Sequence, residues 1–197
     1  MNWALFSLGI IGLSIVVFFW RYEKSPTAGT REIVIIATLA ALAAVSRIAF
    51  SAIASFKPTT FIIMISGYVF GIQTGFMVGA VTALVSNFFL GQGAWTPWQM
   101  LCWGLCGVLA GLLGSRQNEF RPVIFTLLAG LCGYLFGFIM NIWHWVAFVY
   151  PLTLKTYIAV YAAGFAFDSL HAAGNVVFAI IFGRPFYKIL RRFKKYI

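Results

Sequence analysis

The stretch "SNFFLGQGAWTPWQMLCWGLCGVLAGLLG", residues Ser86 to Gly114, decides how the rest of the chain is read. An apolar run ends at Leu90. Gly91, Gln92, Gly93 and Pro97 then arrive together, with Trp95 and Trp98 among them. From Met100 to Leu113 no charged residue follows. Gly and Pro at this spacing fix a loop shape. The uncharged run beyond them is helix-length rather than strand-length. The stretch therefore predicts a helix end, a rigid loop and a new helix, in a setting apolar enough for a membrane.

The whole chain agrees. Of its 197 residues 62% are hydrophobic and only 9% charged, and mean hydropathy is +0.94. A soluble domain carries about a quarter charged residues. The apolar runs are long rather than short and alternating, which excludes a barrel. The fold class expected is an all-α integral membrane protein. Apolar spans are expected over 3–20, 33–54, 61–73, 75–90, 98–114, 122–145 and 157–183. Residues 21–32, "RYEKSPTAGTRE", read as a polar linker with Pro26 and Gly29. The first span lacks a positive n-region and a small-residue cleavage site, so it reads as an uncleaved transmembrane helix. The segments that divide the chain are then an extra N-terminal helix (1–20), a linker (21–32), a six-helix membrane domain (33–185) and a basic tail (186–197).

The net charge of +10 does not point to nucleic acid. Arg21, Lys24, Arg31, Arg116 and Arg121 flank apolar spans, and Arg184, Lys188, Arg191, Arg192, Lys194 and Lys195 crowd the tail. Excess Lys and Arg marks cytoplasmic loops. The loops around 55–60, 91–97 and 146–156, with only Lys57 and Lys155, then face outward. The C-terminus is expected in the cytoplasm. Cys102, Cys106 and Cys132 lie within spans and complete no metal set, so no metal is expected.

Few ionisable groups lie at membrane depth. Arg47 sits in the second span. Asp168, His171 and Asn175 share one helical face in the last. A charge there is costly and marks a functional site by default. Arg47 is the expected partner of Asp168, and that pair could instead be structural glue between two helices. Catalytic constellations are missing: the sequence contains no GxSxG, HExxH or P-loop. The chain reads as a non-enzyme, and ATP-driven work would fall to a partner.

Two further patterns stand out. "ATLAALAAVSR" offers the small-residue pairs Ala37/Ala41 and Ala40/Ala44, which let another helix approach closely. The partner helix could belong to this chain or to another protein. At the outer ends, Asn87, Gln92, Gln99 and Asn141 supply amides, Trp95 and Trp98 flat apolar area, and Lys57, His144 and Tyr150 further polar groups. Interfacial anchoring accounts for tryptophan alone. Together the groups read as the mouth of a binding site.

A chain of this size, with a six-span core, an alanine-rich first core helix and the 86–114 segment, resembles the S components of energy-coupling factor (ECF) transporters over roughly residues 33–190. These are substrate-capturing subunits of bacterial vitamin importers. The "FLGQGAWTPWQM" portion is similar to that of the cobalamin-specific members. The resemblance implies a plasma-membrane protein that binds vitamin B12 or a related corrinoid outside. It would then dock on a transmembrane coupling protein joined to two ABC ATPases, through Ala37/Ala41 or Ala40/Ala44. It implies substrate contacts from 54–60, 88–99 and 143–157, no cofactor of its own, and His144 as a candidate cobalt ligand. Riboflavin, folate or pantothenate would use similar groups. A stand-alone transporter using Asp168 and His171 as a proton site is the reading from a different class.

Overall fold

A computed structural model describes residues 3–24, 29–117 and 119–195. The expected linker falls partly outside these, since Pro26 lies within 25–28. Among the described residues the chain forms seven helices and no strand: α1 Trp3–Glu23, α2 Thr30–Ala49, α3 Thr59–Phe70, α4 Ile72–Leu90, α5 Thr96–Ser115, α6 Pro122–Phe148 and α7 Leu154–Lys194. Helices α2, α4, α5, α6 and α7 are each long and apolar enough to cross a membrane.

The short helix organises the others. α3 has 12 residues, and Thr59 through Val69 are all buried. A helix that is apolar all round belongs in a core. It packs against α2, α4, α5, α6 and α7, so protein rather than lipid surrounds it. Only a lipid-facing helix must match the hydrocarbon thickness, about 30 Å. At 1.5 Å per residue α3 covers about 18 Å, and its N-terminus stops short of one end of the bundle. The space left there becomes the site described below.

Small residues hold this core together. A Cβ on Gly107 of α5 would lie 2.1 Å from the Gly75 carbonyl oxygen of α4, and one on Gly67 of α3 would lie 2.2 Å from the Gly107 carbonyl oxygen. The three backbones touch at one point, as small-residue membrane interfaces allow. The expected break between 73 and 75 is tighter than anticipated: only Gly71 interrupts the helices, and Gly75 lies inside α4. α1 packs on α5 and α6, placing Ile11 and Ile15 with Trp98 and Trp143.

The two ends of the bundle differ in charge. One end carries the connections 50–58, 91–95 and 149–153; of 14 Lys and Arg it holds Lys57 and Lys155, with Arg47 just beneath. The other end holds all the rest. There α7 departs from expectation. The basic tail is no separate segment, because α7 runs 41 residues through Pro185 to Lys194. Its last turns fold onto the core: Tyr187 stacks on Phe120 at 5.0 Å, Leu190 is buried, and Lys194 Nζ donates to the Val69 carbonyl at 2.6 Å. A cation on the last carbonyls of α3 suits that helix end.

α2 also differs. It ends at Ala49 rather than near 54. Pro58 disfavours helix at Lys57, and Phe50 turns inward to meet Phe178 edge-on at 5.9 Å. The connection to α3 is therefore longer than expected and lies over the open end of α3.

Candidate functional site

The site begins with Arg47, in the last turn of α2. Its guanidinium does not meet Asp168, the partner expected of it, but turns to α4 and α5. Nη1 donates to Ser86 Oγ at 2.6 Å and Asn87 Oδ1 at 2.5 Å, and Nη2 faces Gln99 Oε1 at 3.5 Å. Its plane lies over Trp103, with Cζ 4.8 Å from the ring centroid. The acceptors are prepared by their own bonds. Ser86 donates to the Thr82 carbonyl at 2.6 Å, which leaves its lone pairs for Arg47. Asn87 Nδ2 donates to Gln99 Oε1 at 2.8 Å and Thr96 Oγ1 at 2.9 Å, which turns its carbonyl oxygen toward the cation. These are neutral partners. Arginine has five N–H donors, and this set leaves donors to spare.

The glycine-rich loop is what brings Asn87 and Gln99 together. Gly91, at φ +107°, ends α4 in a backbone region that favours glycine. Gln92 Nε2 donates to the Leu84 carbonyl at 2.9 Å, and Thr96 Oγ1 donates to Gln92 Oε1 at 2.8 Å. Pro97 sits in the first turn of α5, where a missing N–H costs nothing. The amides at 87, 92 and 99 thus build the turn and hold the arginine.

A second chain of hydrogen bonds forms the facing wall. Trp103 Nε1 donates to Thr60 Oγ1 at 3.0 Å, and Thr60 Oγ1 shares a 2.8 Å hydrogen bond with His171 Nε2. Phe136 packs on both rings, with centroids 5.0 Å from Trp103 and 5.0 Å from His171. Between this wall and Arg47 lies a cavity of about 110 Å³, completed by Gln99, Thr59, Ser55 and Lys57. Ser55 has φ +54°, a costly conformation for a non-glycine residue. Burial first, and the Arg47 charge second, pull the Lys57 ammonium below its ordinary value.

Two cations therefore face one small space with no carboxylate on its walls. Glu23, Glu32 and Glu119 are at the opposite end of the bundle. Asp168 is turned away: it accepts from Asn141 Nδ2 at 3.1 Å and fills the space beside Gly137, whose Cβ would lie 2.1 Å from its carboxylate. Asn175 ties α7 to α6 by donating to the Ala129 carbonyl at 3.1 Å. Of the polar face foreseen on α7, only His171 reaches the cavity.

The other expected residues are placed as follows. Lys57 and Gln99 line the cavity, and Asn87 holds Arg47. Trp98 is buried against Trp143, 5.8 Å between centroids, in the cluster under α1; it belongs to the core rather than to a mouth. Trp95 is 38% exposed on the loop. Asn141 and His144 line a separate open groove between α6 and α7, and Tyr150 is exposed on the connection beyond. The two alanine pairs point in different directions. Ala40 and Ala44 are buried within the chain, with Thr82 Oγ1 3.5 Å from the Ala40 carbonyl, whereas Ala37 and Ala41 are exposed. A docking role for Ala40/Ala44 is corrected accordingly: they pack inside.

Sequence reading missed Trp103 and Phe136, and it covered Thr59 and Thr60 only as part of the 54–60 stretch. Trp103 gave one signal, a tryptophan deep in a span, away from the interface where anchoring tryptophans lie. Residues 31–187 match the family model described as "ECF transporter, substrate-specific component". None of the curated proteins and none of the solved structures matches the chain.

Proposed function

The chain belongs to the ECF transporter family of substrate-specific components, and from that premise we propose that it captures a vitamin-class molecule at the Arg47 cavity and hands it inward by docking on an energising module. It is a transport subunit rather than an enzyme, and membership implies association with such a module. A coupling protein and two ABC ATPases are the partners proposed. The charge asymmetry of the bundle supports a cavity at the outer face and a cytoplasmic C-terminus. The observation that carries the reading is a solvent-reachable, cation-lined cavity at the end opposite the basic one.

Docking falls to the exposed Ala37/Ala41 face of α2. Small residues allow a partner helix close approach. Ala37→Trp and Ala41→Trp are expected to abolish uptake in cells that supply the module while leaving ligand affinity within twofold. Uptake by the chain alone, driven by a proton gradient, would contradict this reading and favour the stand-alone transporter.

The substrate is the finer question. A cavity of about 110 Å³ is smaller than the roughly 150 Å³ space that accepts benzene in an engineered core. A small vitamin needs modest adjustment of the 50–58 and 91–95 connections. Cobalamin is the second reading, favoured by the flat exposed face of Trp95, and it needs both connections displaced. Uptake of labelled cyanocobalamin, with the module present, tests that reading.

A further inference from the structure

Resting on the capture reading above, we infer that the ligand is a small organic anion, a carboxylate carried on a flat ring, whose charged group sits between Arg47, Lys57 and the N-terminus of α3. Three independent features meet at that point. The two cations line one cavity whose walls hold no acid. Burying charge without a partner is costly, so an anion supplies what the protein leaves out. The N–H groups of the first turn of α3 have no intrahelical carbonyl to donate to, and Pro58, at the N-cap position, makes no side-chain cap bond. A helix start of this kind attracts anions. Thr59, only 1% exposed, lines the cavity, and its Oγ1 is buried with no hydrogen-bond partner. A donor so buried and idle points to a missing acceptor.

The remaining walls define the rest of the ligand. Trp103 and Phe136 present ring faces and edges, which suit a flat ring. Gln99 and the Thr60–His171 pair offer neutral hydrogen bonds at its edge. The volume corresponds to about four waters at roughly 30 Å³ each. It admits the carboxylate and part of one ring. A corrin, with its many neutral amides, matches neither the charge nor the size.

Calorimetry on the detergent-purified full chain tests this with matched probes: nicotinate against nicotinamide, benzoate against benzamide, and pyridoxal 5′-phosphate against pyridoxal, with riboflavin and cyanocobalamin as large ligands without a carboxylate. One acid is expected to bind saturably, at least about 30-fold tighter than its neutral counterpart. Lys57→Met should weaken it about tenfold and Thr59→Val several-fold, with unchanged thermal melting. Preference for pyridoxal phosphate would replace the carboxylate by a phosphate and overturn the single-carboxylate assignment. Equal affinity for acid and amide overturns the anion itself. Saturable binding of riboflavin or cyanocobalamin, unmoved by Lys57→Met, overturns the inference and leaves capture standing. No binding of any probe by a chain that melts cooperatively contradicts capture.

Discussion

Arg47 and Asp168 are both ionisable groups at membrane depth, and their surroundings differ. Asp168 is closed in: Asn141 donates to it, and Gly137 leaves it no spare room. Arg47 is held by Ser86, Asn87 and Gln99 on one side and opens on a cavity on the other. The first arrangement fastens α6 to α7. The second positions a charge and keeps donors free. Depth in the membrane alone does not mark a binding residue. Unused hydrogen-bonding capacity facing an enclosed space does.

Three outcomes would break or sharpen that contrast. The largest is expected at the fastened cluster. Asp168→Ala should cost about 2 kcal/mol of stability, because the bond from Asn141 is lost and the space beside Gly137 is left unfilled. Thermal melting in detergent reads the loss, and ligand affinity should stay within twofold. A fall in affinity as steep as at the cavity would erase the distinction. Next, Thr60→Val removes the hydroxyl that joins Trp103 to His171. Affinity should drop about tenfold and stability by about 1 kcal/mol; affinity unchanged would mean that this wall does not touch the ligand. The smallest effect is in pH. The Lys57 ammonium titrates below the ordinary 10.5, so its charge is present below that lowered value and lost as pH rises through it. Affinity for an anion should therefore fall several-fold as pH rises through that lowered value. The other titratable groups that face the cavity are Arg47 and His171. A flat profile would remove Lys57 from the binding set.

The helical membrane fold was legible in the sequence because composition and run length alone carry it. The loop at 91–97 was legible too, since Gly91 and Pro97 act locally. The pairing of Arg47 was not. Sequence spacing shows that Asp168, His171 and Asn175 share a face, but which neighbour each one meets depends on how α3 separates α2 from α7. The alanine pairs show the same limit. Both fit the small-residue pattern, and only the rotation of α2 decides that Ala40 and Ala44 turn inward while Ala37 and Ala41 stay outside. Trp98 and Trp103 were separated for a similar reason: five residues apart on α5, they face α1 and the cavity respectively.

The central claim is that the cavity beneath Arg47 is where the ligand sits. Titration of the ligand onto Arg47→Gln and Asp168→Ala proteins, side by side, tests it most directly. The account predicts affinity reduced on the order of 100-fold in Arg47→Gln, with cooperative melting retained, and near-normal affinity in Asp168→Ala. Normal binding by a folded Arg47→Gln protein, or loss of binding confined to Asp168→Ala, would contradict it.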